Sequence, residues 1–204
     1  MIPGRRSIVA TALVLLAGVG TLWWGTDGFS AFTAETARRM EILRSPRALP
    51  ATVLEDQDGH AFSLQDYHGR LLAVEFIYTR CTSLCRSMGM AFKQIRERVP
   101  QHALGRDFAL LSISFDPERD DPASLKGYGL NYGADGVIWR IARVRSAAEL
   151  KPLLQAFGIV VIADGLGGFE HNAAIHLIGR DGRLKQISDI NEPLLFADRV
   201  ATWL

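Results

Sequence analysis

Cysteine is nearly absent from this sequence, with two residues in 204. That scarcity excludes a disulfide-built scaffold and a structural zinc site made of four cysteines. An excess of charge is missing too: 23 Lys and Arg stand against 22 Asp and Glu, a formal net charge of +1. Such a balance provides no electrostatic footprint for nucleic acid. Internal repeats and low-complexity tracts are lacking, which excludes solenoid and disordered architectures. What is present is apolar residue, 48% of the chain against 22% charged, enough to bury a core. The length corresponds to one domain, or two at most.

Charge is missing locally at the N-terminus. Residues 7–24 contain none in 18 positions, and Trp23-Trp24 close the stretch. Eighteen residues reach the lower limit for crossing a bilayer, and paired tryptophans suit the interface. A cleaved signal has a shorter apolar region and a small-residue cleavage site, which residues 30–34 match only approximately. The segment is therefore read as an uncleaved anchor. Arg5 and Arg6 keep its N-terminus in the cytoplasm and place the rest of the chain outside, on the periplasmic side of a bacterial inner membrane. Residues 1–26 form the anchor, 27–50 a solvated stalk with a short helix over 38–43, and 51–204 the folded domain.

Within that domain, residues 52–56 and 61–64 read as a hairpin about Asp58-Gly59. Residues 71–78 and 108–115 are nearly unbroken apolar runs, the pattern of strands buried on both faces. Residues 79–85 form a loop leading into a helix whose apolar positions are Met88, Phe92, Ile95 and Val99, with Pro100 as its stop. Asp121 caps a helix with Pro122 at its first position, running to about 128. A strand follows at 137–142, then a helix from Ser146 with a capping box to Glu149, ending at Gly158. Residues 164–168 read as a glycine-rich loop. Residues 173–178 and 184–187 form paired strands, and 193–204 a last helix. This order predicts an α/β, thioredoxin-like fold: a mixed, mostly parallel central sheet flanked by helices, with an extra N-terminal β-hairpin, after a transmembrane helix. The active site of such a sheet lies at the carboxyl ends of its strands, where Cys81 falls.

Cys81-Thr82-Ser83-Leu84-Cys85 places both cysteines at a helix start, about one turn apart. They can share a metal or a disulfide, and the helix N-terminus with Arg80 and Arg86 favours the thiolate. Of the five histidines, His60, His68 and His102 lie in polar turns and read as surface residues. His171 approaches the sheet beside the cysteine loop and is a candidate third ligand. His176, five residues on, points to the opposite face of an uninterrupted strand and reads as a packed sheet histidine. Two thiolates and one imidazole make a soft, low-coordination set that suits Cu(I) or Cu(II). Residues 116–120 read as a turn and helix cap, with Asp116 accepting backbone N–H groups.

Three blocks resemble the Sco/SenC family of membrane-anchored, thioredoxin-fold copper proteins. They are Val74-Glu75-Phe76-Ile77-Tyr78-Thr79-Arg80-Cys81 through Cys85, Ser112-Ile113-Ser114-Phe115-Asp116-Pro117-Glu118-Arg119-Asp120, and Glu170-His171-Asn172 through Asp181-Gly182. The resemblance implies that Cys81, Cys85 and His171 are the copper ligands. It further implies a metallochaperone rather than an enzyme, inserting copper into, or keeping reduced the thiols of, the dinuclear copper site of cytochrome c oxidase. The client would be that copper subunit or another copper protein. The chain departs from the family at Arg86, where proline is usual, at Thr82 and Ser83, where an acidic residue is common, and at Glu170, where aspartate is usual. A membrane-tethered thiol–disulfide oxidoreductase or redox sensor using Cys81 and Cys85 is the alternative. C-x3-C spacing and the lack of proline near 170 argue against ordinary thioredoxin exchange. Tyr78, where thiol peroxidases have threonine, argues against peroxide turnover. Removing residues 1–26 should move the protein from the membrane fraction to the soluble one, checked by fractionation and immunoblotting; a full-length chain already in the soluble fraction would contradict the anchor.

Overall fold

A computed structural model describes residues 4–26, 28–29, 33–81 and 84–204 of the chain. They divide between residues 44 and 45 into two compact units. In the first, helix α1 spans Arg5–Gly25. Its 21 residues reach about 31 Å at the rise of an α-helix, the thickness of a hydrocarbon core. The stretch Ser7–Gly25 is long and apolar enough to cross a membrane, and none of it is buried within the chain. Helix α2 spans Ala34–Arg44, longer at its start than the sequence suggests. The Thr33 hydroxyl accepts from the Thr36 N–H at 3.1 Å, and Glu35 pairs with Arg38 and Arg39 at 2.8 Å each. A cap and an acidic first turn thus start the helix earlier.

The second unit is built on a seven-stranded sheet. Its strands are β1 (Val53–Asp56), β2 (Ala61–Ser63), β3 (Leu71–Ile77), β4 (Phe108–Ser114), β5 (Trp139–Val144), β8 (Ile175–Ile178) and β9 (Leu184–Ser188), in the order β2-β1-β5-β4-β3-β8-β9. The central strands β5, β4 and β3 run parallel, and the flanking pairs are antiparallel. Every residue of β3 and β4 is buried, as their apolar runs require. Helices α3 (Leu84–Arg98), α4 (Pro122–Tyr132), α5 (Ala147–Phe157) and α6 (Pro193–Ala201) cover it. Met88, Phe92, Ile95 and Val99 are each at most 1% exposed, so the predicted face of α3 is the one that packs. A short separate hairpin joins β6 (Val161–Ala163) to β7 (Phe169–His171).

Some boundaries differ from the sequence pattern, each for a local reason. β5 begins two residues late because Asp135 Oδ1 accepts the N–H groups of Val137, Ile138 and Trp139 at 2.8–3.2 Å, turning that stretch into a loop. α4 continues to Tyr132 and ends on Gly133 in the left-handed region, φ 84°. The predicted capping box of α5 does not form, because the Ser146 side chain makes no cap bond. A bond of that kind occurs instead where Ser63 N–H donates to Asp66 at 2.8 Å, opening a 3-10 turn over Leu64–Tyr67. The glycine-rich loop is the turn of the β6–β7 hairpin, with Gly165 and Gly167 at φ 74° and 93°.

One charged residue type stands where none is expected. Glu75 is fully buried in the middle of β3. Its Oε1 accepts the Ser112 hydroxyl at 2.5 Å, and Ser112 Oγ also receives the Trp139 indole N–H at 2.9 Å. Oε2 has no hydrogen-bond partner among the described residues. Burial pushes the carboxyl up to about 8, against a small opposing pull from Ser112. The folded value lies above the ordinary 4.5, so between those limits the unfolded chain releases a proton that the folded chain keeps. Stability therefore falls as pH rises from 4.5 to about 8, by on the order of 5 kcal/mol in all. Glu75→Gln keeps the Ser112 bond and removes the titration. Its melting temperature should exceed wild type by a margin that widens from pH 5 to pH 8 and then stays constant; a margin independent of pH would show that the carboxyl is not held neutral.

Candidate metal centre

The polar loops of the domain gather where the parallel strands end. β3 stops at Ile77, and residues 78–81 lead to the cysteine pair. The Cys81 N–H donates to the Tyr78 carbonyl at 3.3 Å, which turns the chain toward α3, and Cys81 is half-exposed. Cys85 is the second residue of α3. Its side chain, together with Thr82 and Ser83, lies outside the described residues. The first turn of α3 contains no acidic residue, and Arg86 is exposed beside it. No acidic side chain of that turn therefore offsets the positive end of the helix.

His171 ends β7, and the β6–β7 hairpin holds it over the same strand ends. Asn172 fixes the base of that hairpin: its Oδ1 accepts the Val160 N–H at 2.7 Å and its Nδ2 donates to the Gly158 carbonyl at 3.0 Å. Asp164 shapes the tip by accepting the Leu166 and Gly168 N–H groups at 2.7 and 2.9 Å. The His171 ring packs edge-on to Phe115 at 4.8 Å and to Tyr78 at 6.5 Å between centroids. Tyr78 and Phe115 follow β3 and β4 directly, and Tyr78 also packs on Phe169 at 5.3 Å. The Tyr78 hydroxyl lies 3.4 Å from the Phe169 N–H that donates to it. The residue three positions before Cys81 is therefore the floor under His171.

That packing sets the state of the imidazole. Burial holds His171 below the usual histidine value of 6.5, and a hydrogen bond with the Asn172 carbonyl at 3.3 Å opposes this weakly. The ring is neutral at pH 7, and an acceptor beside Nδ1 favours the tautomer that leaves Nε2 as the electron-pair donor. A neutral imidazole next to a thiol-bearing loop at a helix N-terminus fits a soft metal ion. Among the described residues, no three His, Cys, Asp or Glu side chains form a ready metal cluster. His60, His68 and His102 are exposed. His176 is fully buried, edge-on to Phe76 and Phe157, with Nδ1 3.3 Å from the Val74 carbonyl. The Asp116 side chain pairs with Arg80 at 3.3 Å and Arg119 at 3.6 Å rather than capping a helix. Sequence reasoning missed the aromatic floor and the hairpin. The β-branched run Val160-Val161-Ile162 before the glycines was the available signal for the latter.

Comparison with known proteins agrees with this architecture. The SCO1/SenC family profile matches residues 49–202. The SCO1 protein homolog of Bacillus subtilis is 28% identical over 132 residues, 64% of this chain and 67% of that protein. Bradyrhizobium japonicum ScoI, solved with copper bound, superposes with a TM-score of 0.64 at 23% identity, covering 77% of this chain and 99% of that one. BsSco, in which a disulfide switch was identified and which belongs to the Sco family of cytochrome c oxidase assembly proteins, gives 0.62 at 22%, covering 78% and 96%. At such identities the solved structures establish the fold. The proton titration of His171, followed by NMR, should have its midpoint below 6.5, and Phe115→Ala should raise it toward that value by readmitting water; a wild-type midpoint above 6.5 would contradict the packing argument.

Proposed function

The chain belongs to the SCO1/SenC family, and from that membership we propose that it is a copper metallochaperone that binds its cargo through the Cys81 and Cys85 thiolates and the His171 imidazole. The observation that carries this reading is the neutral His171, held by Tyr78 and Phe115 over the strand end from which Cys81 emerges. Two thiolates and one imidazole suit copper in either oxidation state. Cys81 is half-exposed and His171 half-buried, so a second protein can reach the cargo without the domain opening.

The arrangement of the chain suits delivery. Residues 1–26 anchor it, residues 27–50 act as the stalk, and residues 51–204 carry the site. Arg5 and Arg6 retain the N-terminus in the cytoplasm, which puts the site on the outer side of the membrane. The client is a copper protein facing that side, with the dinuclear copper subunit of cytochrome c oxidase the first candidate. BsSco, a relative of the same fold, belongs to a family of cytochrome c oxidase assembly proteins.

A second reading is favoured by the half-exposed Cys81 at a helix N-terminus. Joining Cys81 and Cys85 in a disulfide releases two protons and two electrons, which a client disulfide takes up as its S–S bond breaks to give two thiols. The same oxidation removes two of the three copper ligands, so loading requires the reduced pair. Redox state would then gate delivery. Reduced wild-type protein should take up about one copper per chain. Cys81→Ala and Cys85→Ala should lose it, and His171→Ala should lose affinity by at least about tenfold with a changed spin-resonance spectrum. Metal analysis and spectroscopy after dialysis decide this; equal uptake by the His171 variant would remove that residue from the site.

A further inference from the structure

Asp120 has no exposed surface, yet it caps no helix. The cap of α4 is Asp121, whose Oδ1 accepts the Ser124 N–H at 2.8 Å. Asp120 instead turns inward and accepts three hydrogen bonds. Its Oδ2 takes the Thr79 N–H at 2.9 Å and the Ser114 hydroxyl at 2.5 Å, and its Oδ1 takes the Thr79 hydroxyl at 2.6 Å. Thr79 is two residues before Cys81. A buried carboxyl without partners costs several kcal/mol, so three matched donors make this position strongly determined.

The neighbouring residue reaches the other way. The Arg119 guanidinium donates to the Gly167 carbonyl at 3.0 Å, at the tip of the hairpin that ends in His171. Between these two reaches the turn is stiff. The Arg119 and Asp120 N–H groups donate to the Asp116 carbonyl at 3.1 and 2.9 Å, and the Asp116 N–H donates to Ser114 Oγ at 3.0 Å. From outside, Arg143 donates to the Pro117 carbonyl at 2.9 Å while its guanidinium pairs with Glu55 at 2.7 Å, fastening the turn to β1. Neither the loop at 78–81 nor the hairpin belongs to the main sheet's ladder. Each is tied to the same five residues, 116–120.

We propose that Asp120 and Arg119 are positioning residues, and that the turn 116–120 is a strut setting the distance between the Cys81 loop and the His171 hairpin. Its consequence for metal rests on the copper reading above; the strut itself belongs to the metal-free protein. Ligands held at a set separation bind without reorganising, and partners one shell out from a metal are worth about 10–100-fold in affinity.

The test uses the full-length chain with Thr79→Val, Thr79→Ser and Arg119→Gln, which spare the buried carboxyl, and Asp120→Asn beside them. Thr79→Val removes one bond to Asp120 and keeps the N–H; Thr79→Ser retains both. Arg119 is half-exposed, so its replacement leaves the core intact. In metal-free protein, Thr79→Val should speed amide hydrogen exchange at residues 79–81 and lower the melting temperature, because Asp120 Oδ1 loses its donor, while Arg119→Gln should speed exchange at 167–171 with a melting temperature near wild type. Copper affinity, measured by competition with a chromophoric chelator, should fall about 10–100-fold in both, with a shifted copper(II) spin-resonance spectrum, and Thr79→Ser should restore both. Folded variants with wild-type exchange, affinity and spectrum would overturn the strut. If wild-type protein binds no copper through Cys81, Cys85 and His171, the functional reading fails. The exchange data then decide alone: acceleration at both segments sustains the strut, and its absence ends it.

Discussion

Strands β3 and β4 lie side by side with no exposed residue between them, and their register pairs Ile77 with Ser114. A chain buried on both faces can turn and reach solvent only beyond its ends. The cysteine loop and the turn at 116–120 therefore leave the sheet from adjacent positions, roughly one strand spacing of 4.8 Å apart. The Phe115 N–H donating to the Ile77 carbonyl at 3.0 Å carries that pairing one residue further. Tyr78 and Phe115, first out of each strand, then form the floor on which the His171 ring rests. Remove the paired strand ends and none of the later contacts has a place to form.

Two buried carboxyls show how the same fold treats the same chemical group differently. Glu75 lies mid-strand, where the peptide groups are engaged in the ladder, and it receives a single donor from Ser112. Desolvation wins there and keeps the group neutral well above its ordinary range. Asp120 lies just past the strand end, where backbone N–H groups and hydroxyls are still available, and it receives three donors. One carboxyl is a cost to stability that grows with pH; the other fastens two segments. The difference is the number of donors within reach, not the depth of burial.

The site's accessibility follows from the same geometry. The proposed delivery role requires an ion to be held, yet remain within reach of another protein. Cys81 sits on a loop with one side open to solvent, and His171 stands at the end of a hairpin outside the main sheet. Arg86 in the first turn of α3 adds positive charge to a helix end that already favours thiolate. On the strand side of the cysteines, Arg80 pairs with Asp116 and Thr79 with Asp120.

Much of this was legible from residue order. The uncharged stretch after Arg5 and Arg6, the two apolar runs, the spacing of Met88, Phe92, Ile95 and Val99, and the cysteines at a strand-to-helix junction each depend on local periodicity, which sequence records directly. His171 could be singled out among five histidines only by its place before a strand. The floor beneath it and the ties from Asp120 to Thr79 and from Arg119 to Gly167 could not be read. Those contacts join residues 41 to 93 positions apart, and no local pattern encodes which buried group will find which partner. The sequence by itself determined an N-terminal apolar helix long enough to cross a membrane, most elements of the second unit and the candidate ligands. Only the tertiary structure decided that Tyr78 and Phe115 desolvate His171 and that one turn touches both candidate ligand segments, because both depend on the register at which two buried strands happen to end.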